Sequence, residues 1–354
     1  MTAKTPEDSE LTPPKAAGFS SFKDISSRAW EHPADRAALL ALRKVPGFDL
    51  IIRKVVGLMS ERPLRAITAG SAVEVGPNQF PAIYAIYEEV LHTLDSPTRP
   101  ALYVSQNPVM NAGAIGMDNP FIVLNSGTVN QMTDAQLRCV LGHELGHIMS
   151  DHVLYKTMLR FTLKGGSILL RMPLTGLALL GIVAAMLEWD RKSELSADRA
   201  ALLACQDLDE VRGTLMRLAG GVGEGANIEA FRDQAARYQE DTGSLDGIIR
   251  TLALLGRRHP FPVHRIGELD KWTESGAYQA ILDGEYPRRQ DDQEQKAWNT
   301  WKESAQGYSE DFKATADPMA QWVKDTADDV VDKAGSALTW LRFRNKDGES
   351  DAEE

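Results

Sequence analysis

One segment of the chain has an apolar pattern that predicts a long, mostly buried helix. Its apolar residues recur at steps of three and four positions: Leu137, Val140, Leu141, Leu145 and Ile148. Just before them, Thr133 and Gln136 have the spacing of a capping box, in which each side chain accepts a backbone N–H of the first turn. We therefore expect the helix to begin at Thr133 and to be buried along most of its length.

Patterns elsewhere predict a mixed architecture. Short apolar runs at 121–124 and 101–105 are typical of neighbouring buried strands. Apolar residues at helical spacing predict further helices, over 35–60, 79–95, 228–238 and 245–255. The fold class expected from these elements is α+β, mostly helical, with a small β-sheet beside the helix that begins at Thr133.

Changes in composition divide the chain into four parts. Residues 1–18 are polar and lack the apolar stretch of a secretory signal, so we expect a disordered lead. Residues 19–285 hold the apolar patterns and form the expected main domain. Between 286 and 346, apolar residues at steps of three and four predict an amphipathic helical extension. The acidic residues 347–354 are expected to be a disordered tail.

The charge distribution argues against a nucleic-acid partner. The chain has a net charge of −11, and residues 286–354 contribute 16 acidic and 10 basic side chains, or −6. No basic stripe is present, so the composition does not indicate nucleic-acid binding. The two cysteines, Cys139 and Cys205, do not suggest a disulfide framework. Cys139 could in principle offer a thiolate to a metal, but core packing is favoured for it.

The predicted helix contains a pattern typical of hydrolytic zinc sites. His143 and His147 are four residues apart, so both imidazoles lie on one helix face and can bind one ion. Glu144 lies about 100° around the helix, beside the position where a water would bind, and is the candidate general base. A solvated surface helix with two unrelated histidines is the alternative, and the apolar flanks argue against it.

The third metal ligand is not a nearby histidine. In one class of these sites it is a histidine six residues after the second, following a glycine. This chain has Ser150 and Val153 at the corresponding positions, and His152 is out of register. The sequence leaves open whether His152 lies beside the site or on the surface.

A glutamate on a second helix is the better candidate. Glu194 and Asp198 are four residues apart, so they share a helix face. Glu194 can then bind the metal while Asp198 orients a ligand histidine through its far nitrogen. Glu188 and Asp190 are competing candidates for the ligand. Glu188 has no acid four residues downstream, and the acid that follows Asp190 at that distance is Glu194 itself.

Small residues indicate that these two helices pack closely. Gly142 and Gly146 lie four apart on the first helix, although each glycine costs about 1 kcal/mol relative to alanine there. Ala197, Ala200 and Ala201 are equally small on the second. We expect the two backbones to approach each other along these faces.

At this point the chain resembles the HtpX-like, CAAX-prenyl-protease-type family of gluzincin metallopeptidases. The family pattern is His-Glu-x-x-His on one helix and Glu-x-x-x-Asp on a later one, which His143, Glu144, His147, Glu194 and Asp198 match. The resemblance covers about residues 30–275 and implies a zincin-type domain with one Zn²⁺ per subunit. It also implies a metalloendopeptidase in which Glu144 is the general base.

Further family segments add candidate substrate and support residues. The segment Asn111, Ala112, Gly113 and Ala114 resembles the family's edge strand, which would hold an extended peptide mainly by its backbone. Gly113 departs from the pattern, since many relatives carry a bulkier, often aromatic residue there.

The resemblance extends downstream to a His-Pro pair and a following Arg-Ile pair. It implies that His259 donates a hydrogen bond to the oxyanion and that Arg265 anchors its loop to the metal-site helices. A plain turn residue before Pro260 is the alternative for His259.

The apolar segment 163–187 bears on the relation to membranes. Its apolar run, 172–187, has 16 residues, fewer than the roughly 20 that a span needs. Only 46 residues separate His147 from Glu194, and two crossings would need about 40 apolar ones. We expect a buried hairpin or an apolar lip near the site. The expected location is the cytoplasm, with peripheral contact to the inner face of the cell membrane through 163–187 or the C-terminal amphipathic helix.

The expected function is hydrolysis of peptide or protein substrates, and the resemblance suggests a role in protein quality control. The alternative is a metal-containing binding or chaperone-like protein of the same fold with little turnover.

Overall fold

The computed structural model of the chain describes residues 18–43, 48, 61–164, 176–223, 225–240 and 261–292. The helices in these ranges are α1 Pro33–Arg43, α2 Glu61–Ser71, α3 Pro81–Thr93, α4 Ser126–Gln131, α5 Asp134–Met149, α6 His152–Lys164, α7 Gly176–Cys205, α8 Leu208–Leu218, α9 Ile228–Glu240, α10 Pro262–Glu274 and α11 Ala277–Leu282. The strands are β1 Ala72–Glu74, β2 Leu102–Ser105, β3 Ala112–Ile115 and β4 Phe121–Asn125. The predicted fold class, mostly helical with a small sheet, is confirmed.

The four strands form one mixed sheet in the order β1-β2-β4-β3. Strand β4 pairs in parallel with β2 and antiparallel with β3, which puts β3 at an edge. Phe121, Ile122 and Leu124 of β4 are buried, as the short apolar run predicted. The edge strand β3 lies against α5, so the predicted sheet beside the metal-site helix is present.

Helix α5 begins as its sequence predicted. Thr133 Oγ1 accepts the N–H of Gln136 at 3.2 Å, and Gln136 Oε1 accepts the N–H of Thr133 at 3.3 Å. This capping box satisfies two backbone donors that the first turn leaves without helical partners. The rest of α5 is largely buried between the sheet and α7.

Two apolar clusters stabilise the fold around α5. The larger one joins the sheet, α3, α5, the C-terminal half of α7 and α10. The smaller one joins α1, α6 and the N-terminal half of α7, and includes Leu42, Tyr155, Met186 and Trp189. Since α7 contributes to both clusters, it fixes the position of α5 relative to α1 and α6.

Several expectations fall partly outside the described residues. The helix predicted over 35–60 is described as α1 as far as Arg43, and the helix predicted over 228–238 is α9. The helix predicted over 245–255 lies outside the described residues, as do 1–17 and 293–354. Of the apolar segment 163–187, residues 165–175 are also outside. The four-part division of the chain and the hairpin or lip therefore stay predictions.

Residues 286–292 pack against the N-terminal part of the domain. The N–H of Arg289 donates to the carbonyl of Asp24 at 2.9 Å, and its guanidinium pairs with Asp24 and Asp95. The start of the predicted C-terminal extension thus contacts the main domain. In the part of the chain that the structure describes, no helix has the length and apolar character needed to cross a membrane.

Candidate metal centre

Helices α5 and α7 bring three donor groups together. The nearest side-chain atoms of His143, His147 and Glu194 all lie within 4.8 Å of one another. Glu194 Oε2 lies 3.4 Å from His143 Nε2, and Glu194 Oε1 lies 3.2 Å from His147 Nε2. Donors at 2.0–2.1 Å from a tetrahedral ion would be about 3.3 Å apart. The two imidazoles and the carboxylate therefore fit a metal ion in both chemistry and spacing.

The group is buried unevenly. The side chains of His147 and Glu194 are 2% and 1% exposed, whereas that of His143 is 13% exposed. An approaching substrate would thus meet the site on the side of His143.

Asp198 orients His143 from behind. Its Oδ1 lies 3.1 Å from His143 Nδ1, so Nδ1 carries the proton in a neutral ring and Nε2 is left for the metal. Arg265 donates two hydrogen bonds to the same carboxylate, from Nε at 2.7 Å and from Nη2 at 2.5 Å. Burial alone would raise the pKa of Asp198, but the adjacent guanidinium lowers it, so the carboxylate stays ionised.

The competing carboxylates have other partners. Glu188 pairs with Arg191 and Lys192 on its own helix. Asp190 pairs with Lys156 at 2.6 Å. Among the three candidates, Glu194 is the one that the structure places against both histidines.

Glu144 connects the metal-site helix to the edge strand. Its Oε2 accepts the N–H of Ala114 at 2.7 Å, and the residue is 7% exposed. The carboxylate therefore contacts the edge strand, and the residue lines one cavity together with His143 and Glu194.

Strand β3 presents its outer edge toward the site. The carbonyl of Asn111 accepts the N–H of Asn125, so the alternate residues Ala112 and Ala114 point their backbone groups away from the sheet. Asn111 is fixed by Thr128, whose hydroxyl bonds both its N–H and its carbonyl. The four predicted substrate-binding residues thus lie at the edge of the sheet, beside the donor group.

An apolar cavity of about 370 Å³ opens beside His143 and Glu144. Its walls come from α5, α7 and α8 and include Val140, Ala201, Val211, Leu215 and Leu218. Cys139 also lines it; both cysteines are buried and free, in agreement with the expected packing role. The cavity is large enough for a side chain of a bound peptide.

Other residues near the site were missed or cannot be placed. His259 lies outside the described residues. His152, Lys156 and Arg160 of α6 all contact the site. Of the two positions that the sequence left open for His152, the structure has the one beside the site, whereas Lys156 and Arg160 were not among the predicted site residues. Their spacing of four residues was the available signal, because it puts three basic side chains on one helix face.

Comparisons with known proteins agree with this geometry. The model of peptidase family M48 matches residues 77–273, which is more than half of the chain. The plastoglobule-localized metallopeptidase 48 of Arabidopsis thaliana is 35% identical over 268 residues, covering 74% of this chain and 77% of the relative.

Bacterial relatives cover different shares of the chain. A protease HtpX homolog of Kineococcus radiotolerans is 27% identical over 238 residues, covering 65% of this chain and 76% of the relative. A protease HtpX homolog of Moorella thermoacetica is 30% identical over 92 residues, covering 25% of this chain and 30% of the relative. No solved structure matches the chain. The family match and the long similarity to the plant protein show that the chain belongs to peptidase family M48 and is a metallopeptidase that acts on peptides or proteins.

Proposed function

We propose that the chain is a zinc endopeptidase in which His143, His147 and Glu194 hold one Zn²⁺ and Glu144 is the general base. The observation that carries this proposal is that Glu144 bonds the outer edge of β3 and lines the same cavity as His143 and Glu194, two of the three donors. Two nitrogens and one oxygen suit zinc better than calcium or magnesium, which prefer oxygen ligands.

Zinc, when bound, would lower the pKa of a water molecule and polarise the peptide carbonyl. Glu144 then accepts the water's proton on its carboxylate and donates it to the leaving amine. Asp198 keeps the proton of His143 on Nδ1 during this cycle. Arg265 keeps Asp198 ionised through the two hydrogen bonds that it donates.

The peptide would bind as an added strand along β3. Ala112 and Ala114 carry the backbone groups on the outer edge, so recognition would depend mainly on the peptide's main chain. To pair with Ala114, the peptide must replace the hydrogen bond that Glu144 accepts from its N–H. That exchange would free the Glu144 carboxylate when substrate is in place. The carbonyl of Ala114 accepts a hydrogen bond from Arg160 and has a second lone pair for the peptide. The apolar cavity beside His143 would then receive an apolar side chain next to the scissile bond.

We also propose the cellular setting expected from the sequence. This is a cytoplasmic protein with peripheral contact to the inner face of the membrane, acting in protein quality control. The resemblance to HtpX-like proteases supports it. Peptides that remain bound to the Glu144→Gln variant in cells would identify the substrates. Fragments of damaged or misfolded proteins would support the role, and a single dedicated substrate would contradict it.

The Glu144→Gln variant tests the mechanism. It should bind one zinc ion per chain and yet hydrolyse casein at a background rate. Glu74→Gln is the matched control, because Glu74 is exposed on β1, and it should cleave like the wild type. A chelator should abolish wild-type cleavage, and zinc should restore it. Cleavage by Glu144→Gln at the wild-type rate would refute the role of Glu144. A wild type that binds zinc but cleaves nothing would favour the binding or chaperone-like alternative.

A further inference from the structure

We propose that one face of α6 positions both the metal ligands and the substrate strand, through His152, Lys156 and Arg160. This inference rests on the proposed zinc site. The three residues are spaced four apart, so they lie one above another along the helix. Each contacts a different part of the site: His152 contacts His147, Lys156 contacts Glu194, and Arg160 contacts β3. We call this set the α6 stripe.

His152 holds the second histidine of the donor group. Its Nδ1 lies 3.1 Å from His147 Nδ1, and both side chains are 2% exposed. If His147 binds the metal through Nε2, its Nδ1 carries the proton and donates it to His152 Nδ1. The other nitrogen of His152, Nε2, then donates to Asp35 Oδ2 at 3.0 Å. One consistent set of tautomers thus connects His147 through His152 to α1.

Asp35 is itself held in place from α7. Its Oδ2 accepts the hydroxyl of Ser196 at 2.6 Å. Burial alone would raise the pKa of Asp35, but the contacts with His152 and Ser196 lower it. The carboxylate is therefore ionised and a strong acceptor for His152. His147 has the same kind of carboxylate-supported orientation as His143 receives from Asp198, with one imidazole in between.

Lys156 holds the glutamate of the donor group. The residue is 5% exposed, and its Nζ lies 2.6 Å from both Glu194 Oε1 and Asp190 Oδ1. A buried ammonium is costly unless anionic partners surround it, so these contacts fix all three side chains together. The ammonium holds Oε1 of Glu194, which keeps the carboxylate between the two imidazoles.

This contact is compatible with a bound metal ion. The donors around Glu194 are 3.2–3.4 Å apart, close to the spacing that a tetrahedral ion needs. Lys156 reaches Glu194 without spreading the donors apart. Lys156 also adds a positive charge on the far side of a site that contains the carboxylates of Asp190 and Glu194.

Arg160 acts at the substrate end of the stripe. Its Nη1 donates to the carbonyl of Ala114 at 3.0 Å, on the same residue whose N–H bonds Glu144. The guanidinium lies beside Gly113: a Cβ there would just touch it, 3.4 Å from Nη2, and a bulkier side chain would compete for the same space. The glycine that departs from the family pattern therefore accompanies an arginine lying across the edge strand. Arg160 fixes the backbone against which the peptide would pair.

Because the three residues contact different parts of the site, their removal should affect zinc binding and peptide binding separately. Loss of His152 or Lys156 should weaken zinc binding, because each orients a ligand. Loss of Arg160 should weaken peptide binding and leave zinc binding unchanged, because Arg160 donates a hydrogen bond to the strand carbonyl of Ala114. A general disturbance of α6 would instead change all of these properties together.

The experiment compares removal with conservative replacement at each position in the full-length protein. His152→Leu and Lys156→Met should raise the zinc dissociation constant about 10- to 100-fold, measured by competition with a chelator. His152→Asn and Lys156→Arg should restore most of the affinity, since each keeps the polar atom. When cobalt replaces zinc, His152→Leu and Lys156→Met should show a visible absorption spectrum that differs from that of the wild type. Arg160→Met should raise KM for a peptide several-fold with kcat little changed, and Arg160→Lys should recover part of the loss.

Tyr155→Phe is the matched control. Tyr155 is a buried residue of the same helix whose hydroxyl accepts a hydrogen bond from Arg43. The substitution removes that hydroxyl and keeps the ring, so zinc affinity and KM should stay as in the wild type. Zinc binding by His152→Leu and Lys156→Met within about twofold of the wild type would overturn the proposal. So would an equal loss of affinity in all three removal variants. A wild type that binds no zinc, or whose zinc is unaffected by His143→Ala, would instead refute the zinc site itself.

Discussion

Gly146 of α5 lies directly against Ala200 of α7. A Cβ built on Gly146 would be 2.5 Å from the Cβ of Ala200, closer than two such atoms can approach. A second contact of this kind, between Gly142 and Ala204, lies one turn earlier on α5. The two helices therefore pack at nearly backbone distance. This brings Glu194 of α7 to the two histidines of α5.

Replacing Gly146 with alanine should weaken both the fold and the metal site. The added methyl group forces α5 and α7 apart, and such overpacking typically costs about 1–3 kcal/mol, against about 1 kcal/mol gained in helix propensity. We expect a lower melting temperature and a weaker zinc affinity, since the helices carry different ligands. Thermal unfolding and chelator competition would measure the two effects.

Gly70→Ala is the control for that substitution. Gly70 lies in α2, and a Cβ there would have no atom within 4 Å. The melting temperature of the Gly70→Ala protein should be equal to or slightly above that of the wild type. A Gly146→Ala protein as stable as Gly70→Ala would contradict the close packing of α5 on α7.

Asp198→Asn should impair the metal site with little change of shape. The amide can keep one contact to His143 but loses the charge that orients the imidazole and pairs with Arg265. Removal of such a supporting carboxylate typically costs about 10- to 100-fold in metal affinity or activity. The zinc dissociation constant should rise, and kcat/KM should fall, each by a factor in that range.

The double variant Asp198→Asn/Arg265→Met separates two contributions. In the single variant, the buried guanidinium loses the nearer of its two carboxylate partners, and this lowers stability in addition to metal affinity; Glu194 Oε2 remains 3.6 Å from Nη1. The double variant removes this incompletely paired cation, so its stability should recover while its zinc affinity stays low. Recovery of zinc affinity together with stability would show that Asp198 serves only the fold.

The core of the site could be predicted from the sequence because its chemistry is local. His143, Glu144 and His147 lie within two turns of one helix, and their spacing alone specifies a shared face. Glu194 and Asp198 repeat the same relationship on a second helix. The capping box and the paired glycines gave the helix start and the close packing for the same reason, since each depends on neighbours three or four positions away.

The remaining parts of the site depend on tertiary contacts. Asp35 meets His152 only when α1 packs against α6 and α7, and no spacing in the sequence relates these residues. Nothing in the local sequence distinguishes Lys156 from an ordinary helical lysine, whereas the fold buries it between Asp190 and Glu194. The apolar cavity likewise needs walls from three helices, so its position could not be derived from any one of them.

A charge at the mouth of the cavity should change substrate preference. Leu218 lines the cavity but is 39% exposed, so Leu218→Glu should fold normally. An apolar side chain of the peptide would then enter the cavity beside the new carboxylate, which is unfavourable. We therefore expect kcat/KM for peptides with a large apolar residue at the scissile bond to fall by about tenfold or more. Cleavage-site mapping on a peptide library would measure the preference.

Leu40→Glu is the control for the cavity. Leu40 is 37% exposed on α1, away from the cavity, and its substitution should leave the cleavage sites unchanged. If Leu218→Glu and the wild type select the same residues beside the scissile bond, the cavity does not bind a substrate side chain.

Glu268 of α10 should make the fold sensitive to acid. Its Oε2 lies 3.4 Å from His32 Nε2, and Lys271 Nζ lies 2.7 Å from Oε1. The hydrogen bond with His32, followed by that with Lys271, lowers the pKa of Glu268 from 4.5 to about 2. Because the folded state has the lower pKa, the ionised carboxylate stabilises the fold above about pH 4.5. This contribution is lost as the pH falls from about 4.5 to about 2. Urea unfolding of the metal-free protein at pH 6, 4 and 3 would measure it without interference from acid release of a metal.

Glu268→Gln should be less stable than the wild type at pH 6, and the difference should shrink at pH 3. Glu74→Gln, with its exposed side chain, should follow the wild type throughout. A difference between Glu268→Gln and the wild type that is the same at all three pH values would show that packing, and not ionisation, accounts for the contribution of Glu268.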